Sequence, residues 1–181
     1  MKSVLISIQP QWCELILSDK KIIEVRRTRP NIEVPFKVYI YQTKKRWIYK
    51  LLPWLKKGQA KVIGEFICDT VVKYESDIIM CAKCETNGGE VKENLRYNAG
   101  ACLSAEEMFD YSNGKPLYGW HITNRKIYDE PKKLREFWTV KCTNKKGRCG
   151  ECKIKPKCIR QLIRPPQSWQ YVECIGENNE D

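Results

Sequence analysis

Between Ser18 and Arg29 the chain alternates two kinds of side chain in a way that few structures accept. Ile23 and Val25 are apolar strand formers, and Glu24 and Arg26 are interleaved with them. Residues two apart on a strand share a face. The segment therefore predicts a strand whose Ile23 and Val25 turn to a core while Glu24 and Arg26 turn the other way. Upstream, the periodic apolar stretch Trp12, Leu15, Ile16 and Leu17 reads as a helix running into the polar turn Ser18-Asp19-Lys20-Lys21. The unit is helix, turn, strand, with Lys21 at the junction. Lys21, Glu24 and Arg26 are expected along one exposed edge beside Arg27 and Arg29, with Lys21 carrying little packing. A single carboxylate among these cations reads either as a solvated strand face or as a pocket facing an anion.

Composition favours the anion. Lys and Arg number 33 against 22 Asp and Glu, a formal net charge of +11 on 181 residues. Such an excess points to nucleic acid or an anionic membrane surface and is silent on fold. No apolar run approaches the ~18 residues of a membrane-spanning helix. The opening MKSVLISIQPQW lacks a long apolar core and a cleavage site, so it reads as a first strand and not as a secretory signal. A cytoplasmic location is expected, in which the ten cysteines are metal ligands or buried thiols before they are disulfides.

The coarse order of elements begins with a strand at Val4–Ile8 and a helix at about Pro10–Leu17, with proline in its first turn. Strands follow at Ile22–Arg27 and Lys37–Gln42, then at Lys61–Tyr74 as one long strand or two with a bend. Ser104 with Glu107 three residues on is a capping-box pattern for a second helix, which Asn113-Gly114 stops. Gly119–Tyr128 and Trp169–Cys174 complete the set. About six short strands with two or three helices predict a small mixed α+β barrel in a single domain over 1–175. Three stretches read as insertions: 43–57 (basic and aromatic), 76–102 (with a CxxC) and 141–160 (with four cysteines). The acidic 176–181 reads as a disordered tail.

The four thiols Cys142, Cys149, Cys152 and Cys158 lie in a loop rich in Lys, Gly and Arg, where packing offers them no role. Tetrahedral thiolate ligation of a structural zinc fits them, with an iron–sulfur cluster as runner-up. Cys81 and Cys84 form a second, lone pair. Cys102 is a candidate third ligand there and Cys68 a candidate fourth.

The DKKIIEVRR segment (Asp19–Arg27), the KVYIY strand (Lys37–Tyr41) and Gly58–Phe66 resemble the ASCH domain, a member of the PUA-like superfamily of small β-barrels. GWHITN (Gly119–Asn124), Ile127–Phe137 and Ile163–Glu173 resemble a subgroup frequent in bacterial genomes and prophages. The resemblance implies an RNA- or nucleoside-facing cleft beside the first helix, with Lys21 at its floor and Arg26 as the closing basic residue. One enzymatic branch hydrolyses the acetyl amide of acetylated cytidine nucleosides with that lysine and a hydroxyl residue three positions later. Here Glu24 holds that position, a carboxylate able to act as a general base.

His121, the only histidine, reads as a hydrogen-bonded structural residue or as a ligand-facing one. Trp12, Trp120 and Trp169 read as core or as a platform for a stacked base, with Trp12 the choice for stacking because it lies near the lysine turn. The leading expectation is a binding module for nucleic acid (RNA before DNA) or a modified nucleoside. Its site comprises Trp12, Lys21, Glu24, Arg26, Arg27, Trp120 and His121. The alternatives are a hydrolase of a nucleoside or RNA with Lys21 and Glu24 as catalytic pair, and a prophage protein-interaction module.

Overall fold

Strand formers at Val4–Ile8 and Val38–Tyr41 and the charged alternation at Ile23–Arg26 do form strands in the computed structural model, which describes residues 3–44, 58–76, 100–140 and 159–174. These residues make ten strands, two α-helices and a short 3-10 turn, a mixed α+β architecture. The chain divides into two compact units. One comprises Met1–Pro10, Lys37–Glu65 and Lys126–Asp181, the other Gln11–Phe36 and Phe66–Arg125.

In the first unit β1 (Ser3–Ile8) is buried along its whole length. It pairs parallel with β3 (Phe36–Gln42) and antiparallel with β10 (Trp169–Cys174). A strand covered on both faces needs continuous apolar sequence, which VLISI supplies. The remaining strands of this sheet are β4 (Lys61–Cys68), β7 (Thr123–Lys132), β8 (Phe137–Val140) and β9 (Ile159–Gln161). The order is β7-β4-β3-β1-β10-β8-β9. Leu5, Tyr39, Tyr41, Val62, Phe137, Leu162 and Val172 form one core, in which the Tyr39 and Phe137 rings meet edge to face at 4.9 Å. Ser7 ties down the segment before β10: its N–H donates to the Ser168 carbonyl and its hydroxyl to the Pro166 carbonyl.

The second unit holds α1 (Pro10–Leu17) from Gln11 onward and the sheet β2-β6-β5, made of β2 (Ile23–Arg26), β6 (Leu117–His121) and β5 (Val71–Tyr74). As the alternation predicts, Ile23 and Val25 face a core. They pack with Tyr74, Leu117, Ala101 and Met108, the last on α2 (Ala105–Ser112). The capping box is present: the Ser104 hydroxyl accepts from Glu107 N–H and the Glu107 carboxylate accepts from Ser104 N–H. Asn113 ends the helix in the left-handed region at φ 50°, a conformation asparagine tolerates better than most residues.

The expected six strands become ten because two predicted strands each divide and two short ones are added. Lys61–Tyr74 breaks at Asp69-Thr70 into β4 and β5, and Ile122 separates β6 from β7. Strands β8 and β9 are too short to register as periodic patterns, yet they pair with each other. Residues 100–102, read as the end of an insertion, are integral to the second unit, since Ala101 is wholly buried in its core. Cys142, Cys149, Cys152, Cys158, Cys81 and Cys84, most of the three insertions and the 176–181 tail lie outside the described residues. Among the described residues no helix is long and apolar enough to cross a membrane.

Candidate functional site

The end of α1 is built to deliver Lys21 to one place. Asp19 takes a left-handed φ of 60°, and the N–H groups of Lys20 and Lys21 both return to the Leu15 carbonyl at 3.0 Å. Arg125 braces the turn: its guanidinium donates to the Ile16 carbonyl at 3.0 Å and pairs with both oxygens of the Asp19 carboxylate. The backbone then joins β2 through Ile22 N–H to the Gly100 carbonyl at 2.8 Å. A methyl group on Gly100 would stand 2.8 Å from the Ile22 side chain, so the close approach of the two segments requires glycine.

Lys21, Glu24 and Arg26 come together, and they are not exposed. They are 2%, 6% and 9% accessible. This corrects the exposed edge expected from alternation. The alternation assigns the two faces correctly, but both are covered, and residues 100–102 close over the lysine. Lys21 Nζ donates to the Ala101 carbonyl at 2.5 Å and stands 3.5 Å from Glu24 Oε2. Arg26 Nη2 lies 2.8 Å from Glu24 Oε1. Glu24 is thus held between two cations, one at each oxygen. Burial pushes the Lys21 ammonium below its usual 10.5, against the Glu24 carboxylate and the Cys102 thiol, which raise it, while Arg26 adds to the lowering.

Two further residues of the expected site adjoin this cluster. Trp12 is half-buried, with its ring centroid 5.3 Å from Lys21 Nζ, a cation–π distance. Arg27 turns outward, its Nε donating to the Tyr111 carbonyl at 2.8 Å and its guanidinium lying 4.8 Å from the Tyr111 ring centroid. That anchoring holds an exposed cation in one orientation. Lys21, Trp12 and Arg27 therefore form a graded series from buried to exposed.

Trp120 does not belong to the site. It is wholly buried and meets Phe36 edge to face at 5.7 Å, so no base can stack on it. His121 is partly exposed, and its Nδ1 lies 2.7 Å from Asp69 Oδ1. Asp69 and Arg125 are the functional-looking residues that sequence reasoning missed, the first because an Asp-Thr pair between strands reads as turn chemistry.

The described thiols do not assemble a metal site. The Cys68 thiol donates to the Thr70 carbonyl and burial pushes its pKa up to about 12. Cys102 donates to the Lys20 carbonyl at 3.1 Å. Among the described residues no group of three or more His, Cys, Asp or Glu side chains is placed to hold a metal ion.

No protein-family model matches the chain, and neither does any curated protein. Solved structures do. A tyrosine-to-phenylalanine mutant of an ASCH protein from Zymomonas mobilis superposes with a TM-score of 0.57 at 20% identity, covering 96% of this chain and 91% of that one. A crystal structure of ASCH from Zymomonas mobilis gives 0.56 at 20%, over 94% and 87%. A serine-to-alanine mutant gives 0.57 at 20%, over 94% and 88%. The fold is that of these ASCH structures.

Proposed function

We propose that the chain is an ASCH-family, PUA-like protein that binds single-stranded or modified nucleic acid, RNA before DNA, at the Lys21–Glu24–Arg26 cluster. One observation carries this reading: two cations and a single carboxylate are buried together. Burying a charge is costly unless it is paired, and here Lys21 and Arg26 bring two cations against the Glu24 carboxylate. A phosphate or an electron-rich base edge is the kind of group such a basic cluster attracts. Arg27 offers a fixed phosphate contact at the surface, and Trp12 offers a face for an unstacked base. Recognition on base edges and by stacking suits single strands, whose bases can be splayed out. Fluorescence anisotropy with single-stranded RNA and DNA oligomers tests it. Binding that weakens with salt supports the reading, and no binding to either polymer at low salt overturns it.

The cysteine quartet Cys142, Cys149, Cys152 and Cys158 is proposed, from its spacing, to hold a structural zinc outside the described residues. What supports it is four thiols within a Lys-, Gly- and Arg-rich stretch of sequence poor in core formers. As metal ligands they act as thiolates.

A further inference from the structure

Strand β7 ends the seven-stranded sheet, so one of its edges has no neighbouring strand among the described residues. An edge strand presents a row of unpaired N–H and C=O groups, and β7 is ten residues long. Its residues 126–132 lie in the first unit. There Lys126, Ile127, Asp129 and Glu130 are exposed, the isoleucine at 42%. Neither the Lys126 nor the Glu130 side chain is ion-paired among the described residues. Charges on an edge strand commonly keep copies apart, because like charges set opposite one another repel. The order of charges on β7 works the other way.

The backbone fixes which groups face the open edge. The Lys126 carbonyl oxygen lies against Gly64 of β4, where an added methyl group would stand 2.5 Å from it. Along a strand, alternate residues turn their N–H and C=O to opposite edges. Lys126, Tyr128 and Glu130 therefore turn theirs toward β4, and Ile127 and Asp129 offer theirs outward. In an antiparallel pair, residues that face each other are either both bonded or both unbonded. A second copy related by a two-fold axis then fits with Tyr128 facing its own counterpart at the axis. Ile127 faces Asp129 of the second copy and exchanges both backbone bonds with it. Lys126 faces Glu130 of the second copy, and Glu130 faces its Lys126. These are unbonded positions, where side chains come closest, with Cα atoms about 4.5 Å apart. The neighbouring in-phase registers lose this match. An axis at Ile127 sets Lys126 against Tyr128, and one at Asp129 sets Lys126 against Lys132.

We propose that β7 is a self-association edge through which two copies of this chain join antiparallel, with Lys126 of each against Glu130 of the other. The interface is isologous, so the ion pair occurs twice. Pairing confined to residues 126–130 buries less than the ~1,000 Å² of a stable interface, so the dimer is reversible and concentration-dependent. The net charge of +11 on each copy opposes approach, and physiological salt screens that repulsion beyond about 8 Å.

Sedimentation equilibrium of the full chain, freed of nucleic acid, from about 10 µM to about 1 mM in ~150 mM salt tests it. The proposal expects a monomer–dimer equilibrium. Lys126→Glu and Glu130→Lys each set like charges opposite, and each should weaken association at least about tenfold. The two substitutions move net charge in opposite directions, so a general charge effect would strengthen one and weaken the other. Mixing the two variants should restore association as a mixed dimer, because one copy then offers two carboxylates and the other two ammonium groups. The chain carrying both substitutions should dimerise like the unsubstituted one. Thermal transitions confirm that each variant is folded, as substitution at exposed positions allows. A chain that stays monomeric at the highest concentration, or that associates only when RNA is added, overturns the proposal. So do folded single variants that associate as well as the unsubstituted chain or fail to complement each other.

Discussion

The ammonium of Lys21 donates to the backbone carbonyl of Ala101 at 2.5 Å, across eighty residues of sequence. That bond converts a turn lysine into a buried one. It couples the site to the fold, because the group that would meet a ligand also ties β2 to the segment before α2. Substitutions here are expected to move stability and binding together.

Lys21→Met keeps much of the apolar stem and removes the charge. Because burial depresses the lysine's folded-state pKa below the unfolded 10.5, the unfolded chain binds more protons in the window between the two values. Stability then rises with pH across that window. The penalty for charging Lys21 is fully present below the folded-state pKa and is gone above 10.5. Urea denaturation of both proteins from pH 7 to 10.5 should therefore show the unsubstituted protein gaining on Lys21→Met as pH rises. A constant difference would contradict the buried assignment.

Glu24→Gln removes the carboxylate that lies between two buried cations. Breaking a buried pair by removing one partner typically costs about 3–5 kcal/mol, and the neutral amide's hydrogen bonds should recover part of it. A loss of more than about 1 kcal/mol is expected, well above the ~0.5 kcal/mol of an exposed site. Denaturant midpoints at pH 7 check it.

Arg125→Ala tests the brace on the lysine turn. The guanidinium serves a backbone carbonyl as well as Asp19. Asp19 itself is largely exposed, so the ion pair alone contributes little. About 1–2 kcal/mol of stability should be lost, chiefly through the Ile16 carbonyl. Asp19→Gly, which removes the carboxylate and accepts the positive φ, should cost less. Equal losses in the two would put the stabilisation in the ion pair.

Gly119 lies opposite Val25 and Val72 in the small sheet. A methyl group there would stand 2.8 Å from the Tyr74 ring and 3.0 Å from Ile23. Overpacking of this kind typically costs 1–3 kcal/mol, so Gly119→Ala should lower the melting temperature while leaving the charge cluster in place. An unchanged melting temperature would mean that β6 packs more loosely than this.

What was legible in the sequence was local. The Ser104–Glu107 capping box, the Asn113 stop and the Ile23/Val25 face each follow from residues within one turn or one strand. Trp12 was within reach because a single helix separates it from Lys21. The burial of Lys21 was not legible, because Ala101 stands far off in sequence inside a stretch that reads as an insertion. Alternation names the two faces of a strand and does not say that both are covered, so Glu24 and Arg26 looked exposed. Trp120 looked like a stacking platform because a tryptophan beside a histidine carries no mark of the Phe36 ring that meets it.

Metal content provides a separate check. Elemental analysis of protein purified without added metal should give about one zinc per chain from the Cys142–Cys158 quartet. Less than half an equivalent would remove the zinc assignment, and a brown protein absorbing near ~400 nm would move it to iron–sulfur chemistry.

The most direct test of the account is the affinity of single-stranded RNA from about 50 to 200 mM salt, for the unsubstituted protein, Lys21→Met and Arg27→Gln. Each protein is first confirmed folded by its thermal transition. The account predicts a linear fall of log affinity with log salt. It predicts a slope shallower by about 0.7 for Arg27→Gln, one phosphate contact fewer on a single strand. Lys21→Met should bind at least about tenfold more weakly, a loss of roughly 1.4 kcal/mol. Folded Lys21→Met that binds RNA as tightly as the unsubstituted protein, on the same salt line, would contradict it.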